Sequence, residues 1–130
     1  MADQARKLCG SGFRLHGRSA EHGFDCIGLA SECLSAAGLD VDIPSGYSIR
    51  GGDVQEIAKV MELAGFEKLP AHAIPVAGDI VLVKPGPVQL HLMVKVDGGF
   101  VHAHASLGKV ALSPGPSPWP IVSTYRLREE

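Results

Sequence analysis

A cysteine and three histidines of the second half are the residues whose types and placement could do covalent chemistry. Cys26 lies in Gly23-Phe24-Asp25-Cys26-Ile27-Gly28-Leu29-Ala30. Aspartate is a good helix N-cap, and after Asp25 the residues Ile27, Ala30, Leu34 and Ala37 follow at roughly helical spacing until Gly38 ends the run. The pattern predicts a helix with Cys26 in its first turn. There, unpaired backbone N–H groups and the positive end of the helix dipole favour a thiolate. A thiolate nucleophile needs an imidazole to share its proton. Two segments offer one: Gln89-Leu90-His91-Leu92-Met93-Val94 and Phe100-Val101-His102-Ala103-His104.

Both segments read as strands. Leu90 to Val96 and Phe100 to Ala105 are apolar runs joined by Asp97-Gly98-Gly99, a strong hairpin signal. Strand side chains alternate between faces, so His91 shares a face with Met93 and Lys95, while His102 and His104 share a face of the partner. Either of the latter can hydrogen-bond the outer ring nitrogen of His91 and fix its tautomer, as the third member of a triad does. Alternation does not choose between them. Two plainer readings compete: a small buried cysteine with polar edge histidines, or a metal held by His91, His102 and His104. For the metal reading, no Asp or Glu follows closely enough to complete the site, and Cys26 is left unexplained.

The elements that must position these residues follow from the same patterns. Asp3 to Leu8 reads as a short opening helix ended by Gly10-Ser11-Gly12. A polar, glycine-punctuated loop, Phe13 to Gly23, leads into the cysteine helix and is a candidate pocket wall. It carries Arg18, a candidate substrate contact, and two histidines, His16 and His22, that read as solvated. Leu39 to Gly52 looks irregular. A second helix is expected over about Asp53 to Ala64, with Val54, Ile57, Ala58, Met61 and Ala64 as its apolar stripe and Gly65 as its stop. Pro75 to Asp79 reads as a turn, and Ile80 to Val83 as a buried strand broken by Pro85-Gly86-Pro87. A short strand over Val110 to Leu112 precedes Ser113-Pro114-Gly115-Pro116-Ser117-Pro118-Trp119-Pro120, a stiff excursion expected outside any strand interior. Ile121 to Leu127 reads as a closing strand, with Trp119 and Tyr125 as apolar anchors. Helices first and strands afterwards indicate one α+β domain, residues 1–130, with helices packed on an antiparallel sheet.

Composition narrows the partners. Hydrophobic residues make up 45% and charged residues 20% of 130, an ordinary globular balance. Lys+Arg 12 against Asp+Glu 14 gives a net charge of −2, without the basic surplus that draws nucleic acid. Cys9, Cys26 and Cys33 have neither metal-ligand nor redox spacing, and reduced thiols are expected. The polar start Met1-Ala2-Asp3-Gln4-Ala5-Arg6-Lys7 is unlike a signal peptide, and no apolar run approaches the ~20 residues that span a bilayer. The expectation is synthesis in the cytoplasm, with export only as part of a larger assembly or by lysis.

In three stretches the chain resembles the NlpC-type cysteine peptidases, cell-wall hydrolases on a papain-like fold. Gly23-Phe24-Asp25-Cys26-Ile27-Gly28-Leu29 resembles their Asp-Cys-Ser-Gly-Leu nucleophile motif. Ala77-Gly78-Asp79-Ile80-Val81-Leu82, followed by His91, resembles their Pro-Gly-Asp-Leu strand and catalytic-histidine strand. Phe100-Val101-His102-Ala103 resembles their Phe-Ile-His-Ala strand. The lead-in Gly12-Phe13-Arg14-Leu15-His16-Gly17-Arg18 is most similar to small members encoded with phage tails and gene-transfer particles. The resemblance implies that Cys26 is the nucleophile, that His91 is base and then acid, and that His102 orients His91, with His104 as a neighbour. It also implies that Asp25 lines the pocket for the stem peptide's amine while capping its helix. His104 and Arg18 are further substrate-side candidates. Two departures stand out: Ile27 replaces the usual serine, and Leu92-Met93 stands where a glycine is expected. The implied activity is hydrolysis of peptidoglycan stem-peptide amides, by analogy the γ-D-glutamyl–diaminopimelate bond, with no cofactor and with phage-tail or gene-transfer-particle proteins as partners. The alternatives are a structural or binding part of a tail tip, or an amidase or acyltransferase using the same residues.

Overall fold

The computed structural model describes residues 2–12, 18–19, 23–24, 33, 54–63, 65–86, 89–104 and 109–127. Helix α1 (Ala2–Lys7) has Asp3 in its first turn and Arg6 and Lys7 in its last, charges that complement the helix dipole. It buries Ala5 and, just beyond its end, Leu8. Two short strands, β1 (Arg18–Ser19) and β2 (Gly23–Phe24), pair antiparallel within the segment expected to be a loop. Cys33 is helical and buried. The rest of the expected cysteine helix, the 13–17 lead-in and the irregular 39–52 stretch fall outside the described residues.

Helix α2 (Val54–Leu63) turns Val54, Ile57, Ala58 and Met61 toward the core, the stripe expected from their spacing. Gly65, at φ +94, follows the helix and donates to the Glu62 carbonyl at 3.0 Å. Strand β3 (Phe66–Lys68) comes next, too short to leave a readable period. A tight turn over 76–79 then opens β4 (Ile80–Gly86). Gly78 takes φ +96 there, and the buried Asp79 carboxylate accepts from the Val76 N–H at 2.9 Å and from Arg126 Nε and Nη2 at 3.0 and 2.9 Å. Strands β5 (Gln89–Val96), β6 (Gly99–His104), β7 (Lys109–Pro114) and β8 (Ile121–Leu127) complete one six-stranded antiparallel sheet in the order β3-β8-β4-β5-β6-β7.

Two boundaries differ from expectation. Pro85 does not end β4. Val83 pairs with His91 and Gly86 with Gln89, so three steps on β4 face two on β5, and the proline sits in the resulting bulge. Ser113 and Pro114 belong to β7 rather than to the proline-rich excursion. β7 is an edge strand and Pro114 its last residue, a place where a missing N–H is tolerated.

The architecture is therefore α+β and strand-rich, and its described helices are short. They lie on one face of the sheet, where Leu82, Leu92, Val94 and Val101 pack with Ala5, Leu8, Cys33, Met61 and Phe66. On the other face Val81, Val83, Met93 and Phe100 form a second cluster with Trp119. Among the described residues, no helix is long and apolar enough to cross a membrane.

Candidate active site

The second face carries His91 and His102. His91 stands on β5 opposite Val83, between two irregularities: the β4 bulge beside Pro85, and a register shift between β4 and β8 at Leu82/Val83. Such bulges re-aim nearby side chains. The β5–β6 ladder runs over Val94–Val96 against Gly99–Val101 around the Asp97-Gly98 turn, with Gly98 at φ +85. Beyond that ladder, His91 and His102 come together. His91 Nε2 lies 3.0 Å from His102 Nδ1, and His102 Nε2 lies 2.8 Å from Ser113 Oγ on β7. His102 is 1% exposed, whereas His91 is only half-buried.

Trp119 walls this pair. Its ring meets both imidazoles edge to face, at 5.8 Å and 90° to His91 and at 5.6 Å and 88° to His102. The histidine rings are themselves nearly perpendicular, with centroids 5.1 Å apart. The segment that presents Trp119 is pinned locally: Ser117 Oγ donates to the Trp119 carbonyl at 2.7 Å and accepts from the Trp119 N–H at 3.3 Å. A chain of hydrogen bonds from a half-buried imidazole to a buried one and on to a hydroxyl, under an indole, can hold one tautomer and move a proton at its outer end.

Of the residues singled out from sequence, His91 and His102 are placed within hydrogen-bond distance of each other. Cys26 and Asp25 lie outside the described residues, as do the side chains of Arg18 and His104; the backbone of His104 pairs with Lys109. Strand β2, which ends two residues before Cys26, lies beside β7. Sequence reasoning missed Ser113 and assigned Trp119 only an anchoring role. Ser113 is the register partner of Phe100, which puts it on the histidine face, a placement that depends on strand pairing rather than on residue order. Among the described residues, no three His, Cys, Asp or Glu side chains are grouped to hold a metal.

No protein-family model and no curated protein matches the chain. Solved structures do. NlpC2 from Trichomonas vaginalis superposes with a TM-score of 0.68 at 16% identity, over 95% of this chain and 43% of that one. The peptidoglycan hydrolase RipB from Mycobacterium tuberculosis gives 0.60 at 25% identity, over 98% and 63%. The P60 domain of a Mycobacterium avium subspecies paratuberculosis antigen gives 0.57 at 24% identity, over 96% and 89%. The chain has an NlpC/P60-type fold. It spans less than half of the Trichomonas protein and under two thirds of RipB. Within the NlpC/P60-type fold, the Gly78-Asp79 motif has a structural use in this chain, closing the turn that launches β4 and tying it to β8 through Arg126.

Proposed function

We propose that the protein is a cysteine peptidase that hydrolyses amide bonds in peptidoglycan stem peptides. The observation that carries this reading is the His91–His102 hydrogen bond, an imidazole oriented by a buried neighbour on the adjacent strand. The NlpC/P60-type fold supports it, as does the likeness to RipB, a peptidoglycan hydrolase. The position of β2 beside β7 supports it further. β7 is the strand paired with β6, which carries His102, and β2 ends two residues before Cys26 in the sequence.

In this mechanism the Cys26 thiolate attacks the scissile carbonyl carbon, and backbone N–H groups at its helix start hold the oxyanion. Nε2 of His91 is held by His102, so the proton passes through Nδ1. His91 gives that proton to the leaving amine as the C–N bond breaks, leaving a thioester on Cys26. Water attacks the thioester, loses a proton to His91, and releases the carboxylate and the thiol. Asp25 receives the free amine of the stem peptide, by analogy at the γ-D-glutamyl–diaminopimelate bond, with Arg18 and His104 on the substrate side. Residues 1–130 act as one domain without a cofactor. The lead-in from Gly12 to Arg18 supports delivery by a phage-tail or gene-transfer particle and local opening of the wall.

A second reading is favoured by Ile27 and Leu92-Met93, which stand where the family pattern has serine and glycine: a tail-tip component that keeps the fold without the activity. Purified sacculi separate the two. The wild type is expected to release stem-peptide fragments of defined mass, and Cys26→Ala to release none. Equal release from both proteins, or none from either, would end the peptidase reading.

A further inference from the structure

His102 has a partner at each ring nitrogen: His91 Nε2 at Nδ1, 3.0 Å, and Ser113 Oγ at Nε2, 2.8 Å. A neutral imidazole has one N–H and one lone pair, so these two contacts are not independent. For His91 to take a proton at Nδ1, its Nε2 must carry the hydrogen and donate to His102. His102 then accepts at Nδ1, carries its own hydrogen on Nε2, and donates that to Ser113 Oγ. The opposite polarity, with Ser113 donating, puts the hydrogen of His102 on Nδ1 and forces His91 Nε2 to accept. The proton of His91 then sits on Nδ1, and the ring is no base there.

We propose that Ser113 is a positioning residue that holds His102 in the Nε2–H tautomer and so keeps Nδ1 of His91 ready to take a proton. The inference rests on the reading of His91 as the base. A hydroxyl suits this place better than a carboxylate. Beside an imidazole that is 1% exposed, a carboxylate would draw a second proton onto His102, and a doubly protonated ring has no lone pair with which to accept from His91. The fold fixes the hydroxyl closely. Ser113 pairs with Phe100 across the β6–β7 ladder, and a Cβ on Gly99 would collide with the Ser113 carbonyl and approach Pro114 Cα to 2.9 Å. Only glycine at position 99 lets β7 come this near.

The experiment compares Ser113→Thr, which keeps the hydroxyl, with Ser113→Val, its isostere without one. Long-range ¹⁵N–¹H NMR reads the ring tautomers, and loss of one spin system in His102→Gln assigns His102. Wild type and Ser113→Thr are expected to show His102 with its hydrogen on Nε2, and Ser113→Val to show it on Nδ1 or shared between both. On stem-peptide substrate, kcat is expected to fall about 10- to 100-fold in Ser113→Val with KM within about twofold, and Ser113→Thr to restore it. An unchanged His102 tautomer in Ser113→Val overturns the proposal. If Ser113→Val does not fold, Ser113→Ala gives the same two readings. A wild type that cleaves nothing defeats the peptidase reading alone, because the NMR comparison still decides the role of Ser113. An active wild type with the same tautomer and kcat in all variants defeats only the Ser113 assignment.

Discussion

The two faces of the sheet use the same strands for different ends. Toward the helices, Ile80, Leu82, Leu92, Val94 and Val101 form a continuous aliphatic surface. Toward the other side, the alternate positions of the same strands give Val81, Val83 and Met93, and then His91, His102 and Ser113. Both faces are closed to water at their centres, with Leu82 and Met93 each at 0% exposure. The difference is what burial does. On the helix face it supplies transfer free energy that depends little on direction. On the histidine face it strengthens a few directed hydrogen bonds. Period-2 alternation lets one hairpin serve both purposes, provided its register does not slip.

Substitutions on each face can break or sharpen that contrast. His91→Ala is expected to cost about 10⁴-fold in kcat, equivalent to about 5.5 kcal/mol, with little change in the denaturation midpoint; a stability loss matching the activity loss would blur the distinction. Leu82→Ala is expected to do the reverse, costing about 2–5 kcal/mol of stability while the folded fraction keeps its kcat. Trp119→Ala removes two edge-to-face contacts worth about 0.5–1.5 kcal/mol each and is expected to lower kcat about 5- to 100-fold, with Trp119→Phe recovering most of it. The smallest effect concerns the thiols. Burial pushes the Cys9 thiol up, only partly offset by Arg6, so at neutral pH Cys9 stays protonated and reacts slowly. With limiting iodoacetamide, peptide mapping is expected to show Cys26 modified well before Cys9 or the buried Cys33. Uniform labelling would argue against an activated cysteine.

Much of this arrangement could be read from residue order. The hairpin around Asp97-Gly98, the α2 stripe ending at Gly65 and the closing strand through Tyr125 follow from periodicity and turn chemistry alone. The strand through Pro85 could not be read that way. A bulge frees proline from the ladder, and a bulge is a property of two strands rather than of one. Ser113 was hidden for a related reason. Its neighbour Pro114 signals a break, and only the edge position of β7 makes that proline harmless. β3 left no trace because three residues, one of them buried, carry no period. At the site, one hairpin brings His91 toward the face shared by His102 and His104, and only the family resemblance chose His102, whereas the Ser113 and Trp119 contacts require a third strand and a returning loop.

That His91 and His102 are only 11 residues apart bears on when the site takes shape. Hairpins close in microseconds, well before contacts between distant parts of a chain are made. The two imidazoles can therefore meet early, from a local event, before more distant parts of the chain are in place. On the proposed mechanism, which also needs residue 26, a population with errors elsewhere in the chain would keep its histidine NMR signature while failing to turn over substrate.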